Sequence, residues 1–235
     1  MIANALRVEI ERYAAQMPSS NPLFLKAEDG TFVPSLMVTY LTNIKHLVSH
    51  TPIFLTRACE RARSVGDERL ASHYEQKRTD EFGHDVWAER DIERVSTISM
   101  TPSNTDILPA MQDLLAFLAR TIDEDPTLYL SYVLFAEYLT VLLGPAWLKL
   151  LDERCGIPRT SVTVVGNHVD LDREHVQEAL DEIDDLVADP SKLPRMRKVL
   201  LDSIAYFERF CAEVTADRTS ESRISANAAQ HVSAA

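Results

Sequence analysis

Glycine is scarce in this sequence, at 6 of 235 residues. Strand-rich folds turn tightly and often, and tight turns consume glycine, so the shortage points to helices. Cysteine is scarcer still: Cys59, Cys155 and Cys211 are the only three. They are far apart, odd in number and form no CxxC pair, which fits reduced thiols better than a disulfide framework. The opening Met1-Ile-Ala-Asn-Ala-Leu-Arg7 lacks the apolar run of a secretory leader, and with the thiols this gives a cytoplasmic expectation. No uninterrupted apolar stretch reaches the ~18 residues of a membrane span; the richest, Leu128 to Leu143, is broken by Ser131, Glu137 and Thr140. Basic residues are also short, 24 Lys and Arg against 36 Asp and Glu, for a net charge of −12. Nucleic acids and anionic membranes are gripped by Lys/Arg patches, so neither is an expected partner.

What the chain does have is 46% hydrophobic residues, enough for a sizeable core. Ile2, Leu6, Ile10 and Tyr13 recur at helical spacing and predict a helix over 2–16. Residues 19–32, with Pro22, Asp29 and Gly30, read as loop. Pro34 suits a helix start, and Met37, Tyr40, Leu41, Ile44, Leu47 and Val48 form a stripe that Pro52 should kink or break. Further helices are expected over about 67–95, 106–123, 125–156 (with a kink at Pro145), 160–188 and 195–215. From 216 the chain is rich in Ser, Ala and Asn, and reads as a disordered tail. No repeat or linker divides the rest, so the expected architecture is all-α: one domain, 1–215, of about seven bundled helices.

Three features carry chemistry. In His168-Val-Asp-Leu-Asp172-Arg-Glu-His175, positions i, i+4 and i+7 fall within an arc of roughly 60° on a helix, so two imidazoles and a carboxylate project together. That donor set suits iron, manganese or zinc; the alternative is a solvated polar face. In Glu81-Phe-Gly-His84, a glutamate and a histidine three apart also share a helix face. Such Glu-x-x-His pairs build di-iron sites in helical bundles, although a surface pair has the same pattern. Glu137 lies inside Leu-Phe-Ala-Glu-Tyr-Leu-Thr-Val-Leu-Leu. A carboxylate buried there costs several kcal/mol unless a metal or an Arg/Lys partner meets it. Together these residues offer imidazole and hard oxygen donors and no Cys ligand, which argues for iron or manganese over structural zinc.

On these motifs the chain resembles the heme-oxygenase-like di-iron oxidases and oxygenases, a branch of the fold that also holds TenA-type thiaminases and PqqC-type quinone synthases. The resemblance spans about residues 20–210. It rests on the His168-x3-Asp172-x2-His175 run, with the Glu137 and Glu81-Phe-Gly-His84 segments before it and Pro34-Ser-Leu-Met-Val-Thr-Tyr-Leu-Thr-Asn-Ile-Lys-His46 as an early helix. It implies a heme-oxygenase-like bundle in which Glu81, His84, Glu137, His168, Asp172 and His175 hold two iron ions, with manganese an option at one of them. It further implies O2 as co-substrate, oxidation of a small organic molecule, and a homodimer. One departure stands out. Many members carry a glutamate seven residues before the histidine matching His84, where this chain has Lys77. Either Glu81 stands in from one turn closer, or the site is short of one carboxylate and holds one metal, a second only weakly, or none.

Lys77 and His46 are candidates beside the metal set, Lys77 as a binder of a substrate carboxylate and His46, with His50 one turn on, as a cavity or ligand residue. The plainer readings are a surface lysine for Lys77 and a core or surface residue for His46. Tyr40, Tyr132 and Tyr138 are candidate cavity donors, Trp87 and Trp147 read as core, and His73 and His231 as exposed. Two other functions compete. A TenA-like metal-free hydrolase would need Cys155 or Cys59 as nucleophile, and neither shows an activating partner. A non-catalytic binding protein on the same scaffold would need no metal, and Lys77 favours it.

Overall fold

Asp125 accepts the Thr127 N–H and Pro126 supplies the first-turn proline, two devices that start a helix where free backbone donors need a cap. The helix they start, α7 (Pro126–Cys155), is the axis of the molecule. It ends at Gly156, in a left-handed conformation (φ 65°) that glycine adopts without steric cost. By length and composition α7 could cross a membrane, with a hydropathy of 1.4 over its most apolar window, but 67% of that window is buried within the protein. Its apolarity therefore matches its place in the core, enclosed by α8 (Thr163–Leu186), α9 (Leu193–Thr215), α1 (Ile2–Ser20), α6 (Pro109–Glu124) and α2 (Pro22–Glu28). The longest helix, α3 (Pro34–Ser64), packs against α4 (Glu68–Asp80), α5 (Asp85–Ile98) and α6. The computed structural model describes residues 1–187 and 189–216, and nine α-helices run through them.

The all-α expectation holds, and several boundaries move. Residues 22–28 are helical where a loop was expected, because Asn21 caps Leu23 and Pro22 opens the first turn. Pro52 does not break α3. It removes one donor, but the stripes on both sides of it pack into the same core. Pro145 likewise lies within a continuous α7. The helix expected over 67–95 is two, α4 and α5, separated at Glu81–His84 where Gly83 takes φ 86°. The tail expected from 216 lies, from residue 217 onward, outside the described residues, as does His231.

Candidate metal centre

The break between α4 and α5 builds one wall of the site. Glu81 is the C-cap of α4 and His84 the N-cap of α5, so this pair does not share a helix face as the spacing suggested. The turn nonetheless brings Glu81 Oε2 to 3.2 Å from His84 Nδ1. A positive φ at Gly83 closes the turn, and a side chain there would be strained. Trp87, one turn into α5, stacks on His84 with ring centroids 4.1 Å apart and meets the His168 ring edge-on at 5.6 Å.

The opposite wall is α8. Its start is held by a residue of another helix: Asp91 of α5, fully buried, accepts the Val164 N–H at 2.7 Å and the Thr163 hydroxyl at 2.7 Å. The next turn carries His168, whose Nδ1 lies 2.6 Å from the Val164 carbonyl. A carbonyl only accepts, so Nδ1 carries the proton and Nε2 is left with the lone pair a metal could use. That Nε2 lies 4.0 Å from Glu81 Oε2. Asp172 and His175 follow along the same helix, with Asp172 Oδ1 and His175 Nδ1 3.4 Å apart. The Asp172 carboxylate raises the His175 pKa against its partial burial.

The third wall is α7, which presents Glu137. Its neighbour Lys77, from the last turn of α4, lies 2.5 Å away, Nζ to Oε1. Both are buried, with 6% and 7% of their surfaces exposed, so the partner of Glu137 is an ammonium deep in the bundle and not one at its surface. Burial pushes the Glu137 pKa up to about 7, against the pull of that ammonium. Burial would raise Glu81 as well, but His84, His168 and Lys77 together hold it below its ordinary range.

All six sequence-predicted ligands meet here. Glu81, His84 and His168 present donor atoms within 4.8 Å of one another, and so do Glu81, Glu137 and His175; Glu81 belongs to both groups. Asp172, 2% exposed, stands beside the second. The unmet polar atoms support a metal. Among the described residues seven buried side-chain atoms lack a hydrogen-bond partner, and four of them are here: His84 Nδ1, Glu137 Oε2, Asp172 Oδ1 and His175 Nδ1. His84 Nδ1 and the Asp172–His175 pair have neighbours within 3.4 Å, but off the hydrogen-bonding direction. Orphaned buried donors and acceptors are costly, and a divalent ion satisfies such a set at once.

The site opens on a cavity of about 200 Å³ that runs along α7. Lys77, Glu81, Glu137, His168 and Asp172 line its polar end, and Trp147, ten residues beyond Glu137, lines it further along. At 1.5 Å per helical residue these markers are ~15 Å apart. Between them the wall is apolar, including Val133, Ala136, Leu143 and Gly144. The close approach of α7 and α8 depends on Gly144: a Cβ there would fall 2.4 Å from Val169 Cγ2.

Tyr40 and Tyr132 line this cavity as expected, while the Tyr138 hydroxyl turns away to Glu11. His46 is not among the lining residues; its ring packs against His50. His73 is half-buried beside Glu182, not exposed. Sequence reasoning missed Trp87 and Asp91 as parts of the site. Trp87 had a usable signal, since it lies three residues after His84. Asp91 had none, because the helix it caps begins 72 residues later.

No protein-family model matches the chain, and no curated protein does. The structures similar to it in shape include two crystal structures. A domain of unknown function from Shewanella denitrificans OS217, described as having a heme oxygenase-like fold, superposes with a TM-score of 0.77 over 90% of each chain at 19% identity. The fold is heme-oxygenase-like. A CADD-like protein of unknown function from Nostoc punctiforme PCC 73102 superposes with a TM-score of 0.66 at 15% identity, over 91% of this chain and 96% of that one. At these identities the likeness speaks for architecture alone. On that heme-oxygenase-like scaffold, this chain carries a buried carboxylate and histidine cluster able to hold metal.

Proposed function

We propose that the chain is an oxidoreductase that uses non-heme iron and O2 to oxidise a small, mostly apolar organic molecule. The observation that carries this reading is the position of the ligand cluster in the wall of an apolar cavity. A structural metal would be closed off by protein on all sides, whereas a catalytic one keeps an open face. The donors are imidazoles and carboxylates, a set favouring iron or manganese. Iron, when bound, supplies the redox chemistry that activates O2.

The chain's own residues do the rest. The Val164 carbonyl fixes the His168 tautomer and aims Nε2 at Glu81. Asp91 anchors the turn that carries His168. The apolar wall along α7 excludes water and takes the body of the substrate. Burial keeps the Tyr40 and Tyr132 hydroxyls protonated well past neutral pH, as hydrogen-bond donors to it.

The thiol-dependent alternative is disfavoured. Burial raises the pKa of Cys59, Cys155 and Cys211, where a nucleophile needs it lowered, and none of them lines the cavity.

The test is metal analysis of protein purified without oxygen and reconstituted with Fe(II), followed by O2 uptake. At least one iron per chain is expected, and His84→Ala and His168→Ala should each bind less. Folded protein that binds no iron would remove the reading and leave a non-catalytic binding protein. Uptake of O2 that an apolar candidate substrate accelerates would support oxidation in this cavity.

A further inference from the structure

We infer that Lys77 takes the place of a second metal ion, so that the site holds one ion per chain beside a fixed ammonium. This rests on the metal reading above and deepens it.

The two candidate ligand groups are unequal. Glu81, His84 and His168 have no cation among them, and the His84 ring lacks a partner at Nδ1. In the other group, Glu137 is already bonded to Lys77, Nζ to Oε1 at 2.5 Å. A second ion held there would have to share the Glu137 carboxylate with a neighbouring positive charge, in a setting where repulsion is poorly screened.

Charge balance points the same way. Counted as metal-bound anions, the carboxylates of Glu81, Glu137 and Asp172 beside the Lys77 ammonium leave two negative charges. One divalent ion neutralises them. Two would leave two uncompensated positive charges in a buried site. The shared Glu81 then serves one ion, its carboxylate set between that ion and Lys77.

Lys77 cannot readily withdraw. Its side chain is 7% exposed and leaves the last turn of α4, where the Lys77 carbonyl accepts the Glu81 N–H at 3.0 Å.

The test is Mn(II) titration of the full chain under anaerobic conditions, with the metal count and the electron paramagnetic resonance spectrum as readouts. Wild type is expected to saturate at one equivalent with an isolated-ion spectrum. Lys77→Glu, which swaps the ammonium for a carboxylate, is expected to saturate at two. Its second equivalent should bring the line broadening of ions held close together. Saturation of wild type at two, or of Lys77→Glu at one, overturns the inference and leaves the metal reading intact. No binding by either folded protein overturns both. Should Lys77→Glu not fold, Lys77→Met decides: without the ammonium, Glu137 lies buried and unpaired. Saturating Mn(II) should then raise the Tm of Lys77→Met more than that of wild type. An equal or smaller rise, with one equivalent bound, overturns the inference.

Discussion

Replacing Asp91 with alanine tests the view that a residue outside the ligand set holds the ligand helix in place. The carboxylate is fully buried and accepts from the Val164 N–H and the Thr163 hydroxyl, both at 2.7 Å. Its third partner, Arg94 at 3.1 Å, has a side chain 47% exposed, and so contributes little. Hydrogen bonds to a charged group contribute about 1.5–3 kcal/mol each, and a lost helix cap alone costs ~0.5–2 kcal/mol. The first backbone donors of α8 would be stranded in a buried position. Asp91→Ala should therefore lose roughly 3–5 kcal/mol of stability. On a chain of this length that lowers Tm by about 10 °C. Urea unfolding followed by circular dichroism is the assay, with the midpoint falling at unchanged slope. Asp91→Asn keeps one acceptor oxygen and should lose about half as much. A loss below ~1 kcal/mol for the alanine variant would refute the capping role. Because His168 follows Val164 by one turn, the alanine variant should also bind metal more weakly than its stability loss alone would give.

Two further predictions concern α7. Gly144→Ala would ordinarily gain up to ~1 kcal/mol of helix propensity. Here the new Cβ meets Val169 Cγ2 at 2.4 Å, and valine is stiff at χ1 within a helix. Crowding should win, for a net loss of about 1–3 kcal/mol with weaker Mn(II) binding; a gain in Tm at unchanged affinity would contradict it. Asp125 is the second case. Burial would raise its pKa, but Lys192 and the Thr127 hydrogen bonds outweigh that and hold it below the usual range. A depressed folded-state pKa gives stability that is present above the unfolded value and lost as pH falls through the folded one. Wild type should thus lose more stability than Asp125→Asn between pH 5 and the acid range just below ~4, as measured by urea unfolding across that range. Parallel losses would refute it.

The candidate ligands were legible because they follow local rules. His168, Asp172 and His175 lie on one helix, and helical period alone aligns them. Glu137 was conspicuous because a charge inside an apolar run demands a partner. The identity of that partner was not legible. Lys77 lies on a polar helix of low hydropathy, and only the packing of α4 near α7 takes it out of solvent. Glu81 and His84 were found for a partly mistaken reason: Gly83 ends one helix there, and the pair meets across a turn. Asp91 shows the limit. A cap supplied from another helix leaves no trace in the segment it caps. Pro52 and Pro145 show the converse, since packing on both sides sustains a helix that local preference would interrupt.

Gly144 also ties together two properties of the site that could otherwise vary independently. It lets the helix bearing Glu137 approach Val169 on the helix bearing His168, Asp172 and His175, and it is part of the cavity wall as well. Any side chain added there to reshape the room for substrate will also move α8, and the ligand spacing with it. Variants with altered substrate range are thus more accessible through Leu143 or Trp147, which line the same cavity on α7 but do not form the Gly144–Val169 contact. At position 144, a change in the cavity wall is also a change in the spacing of the candidate metal ligands.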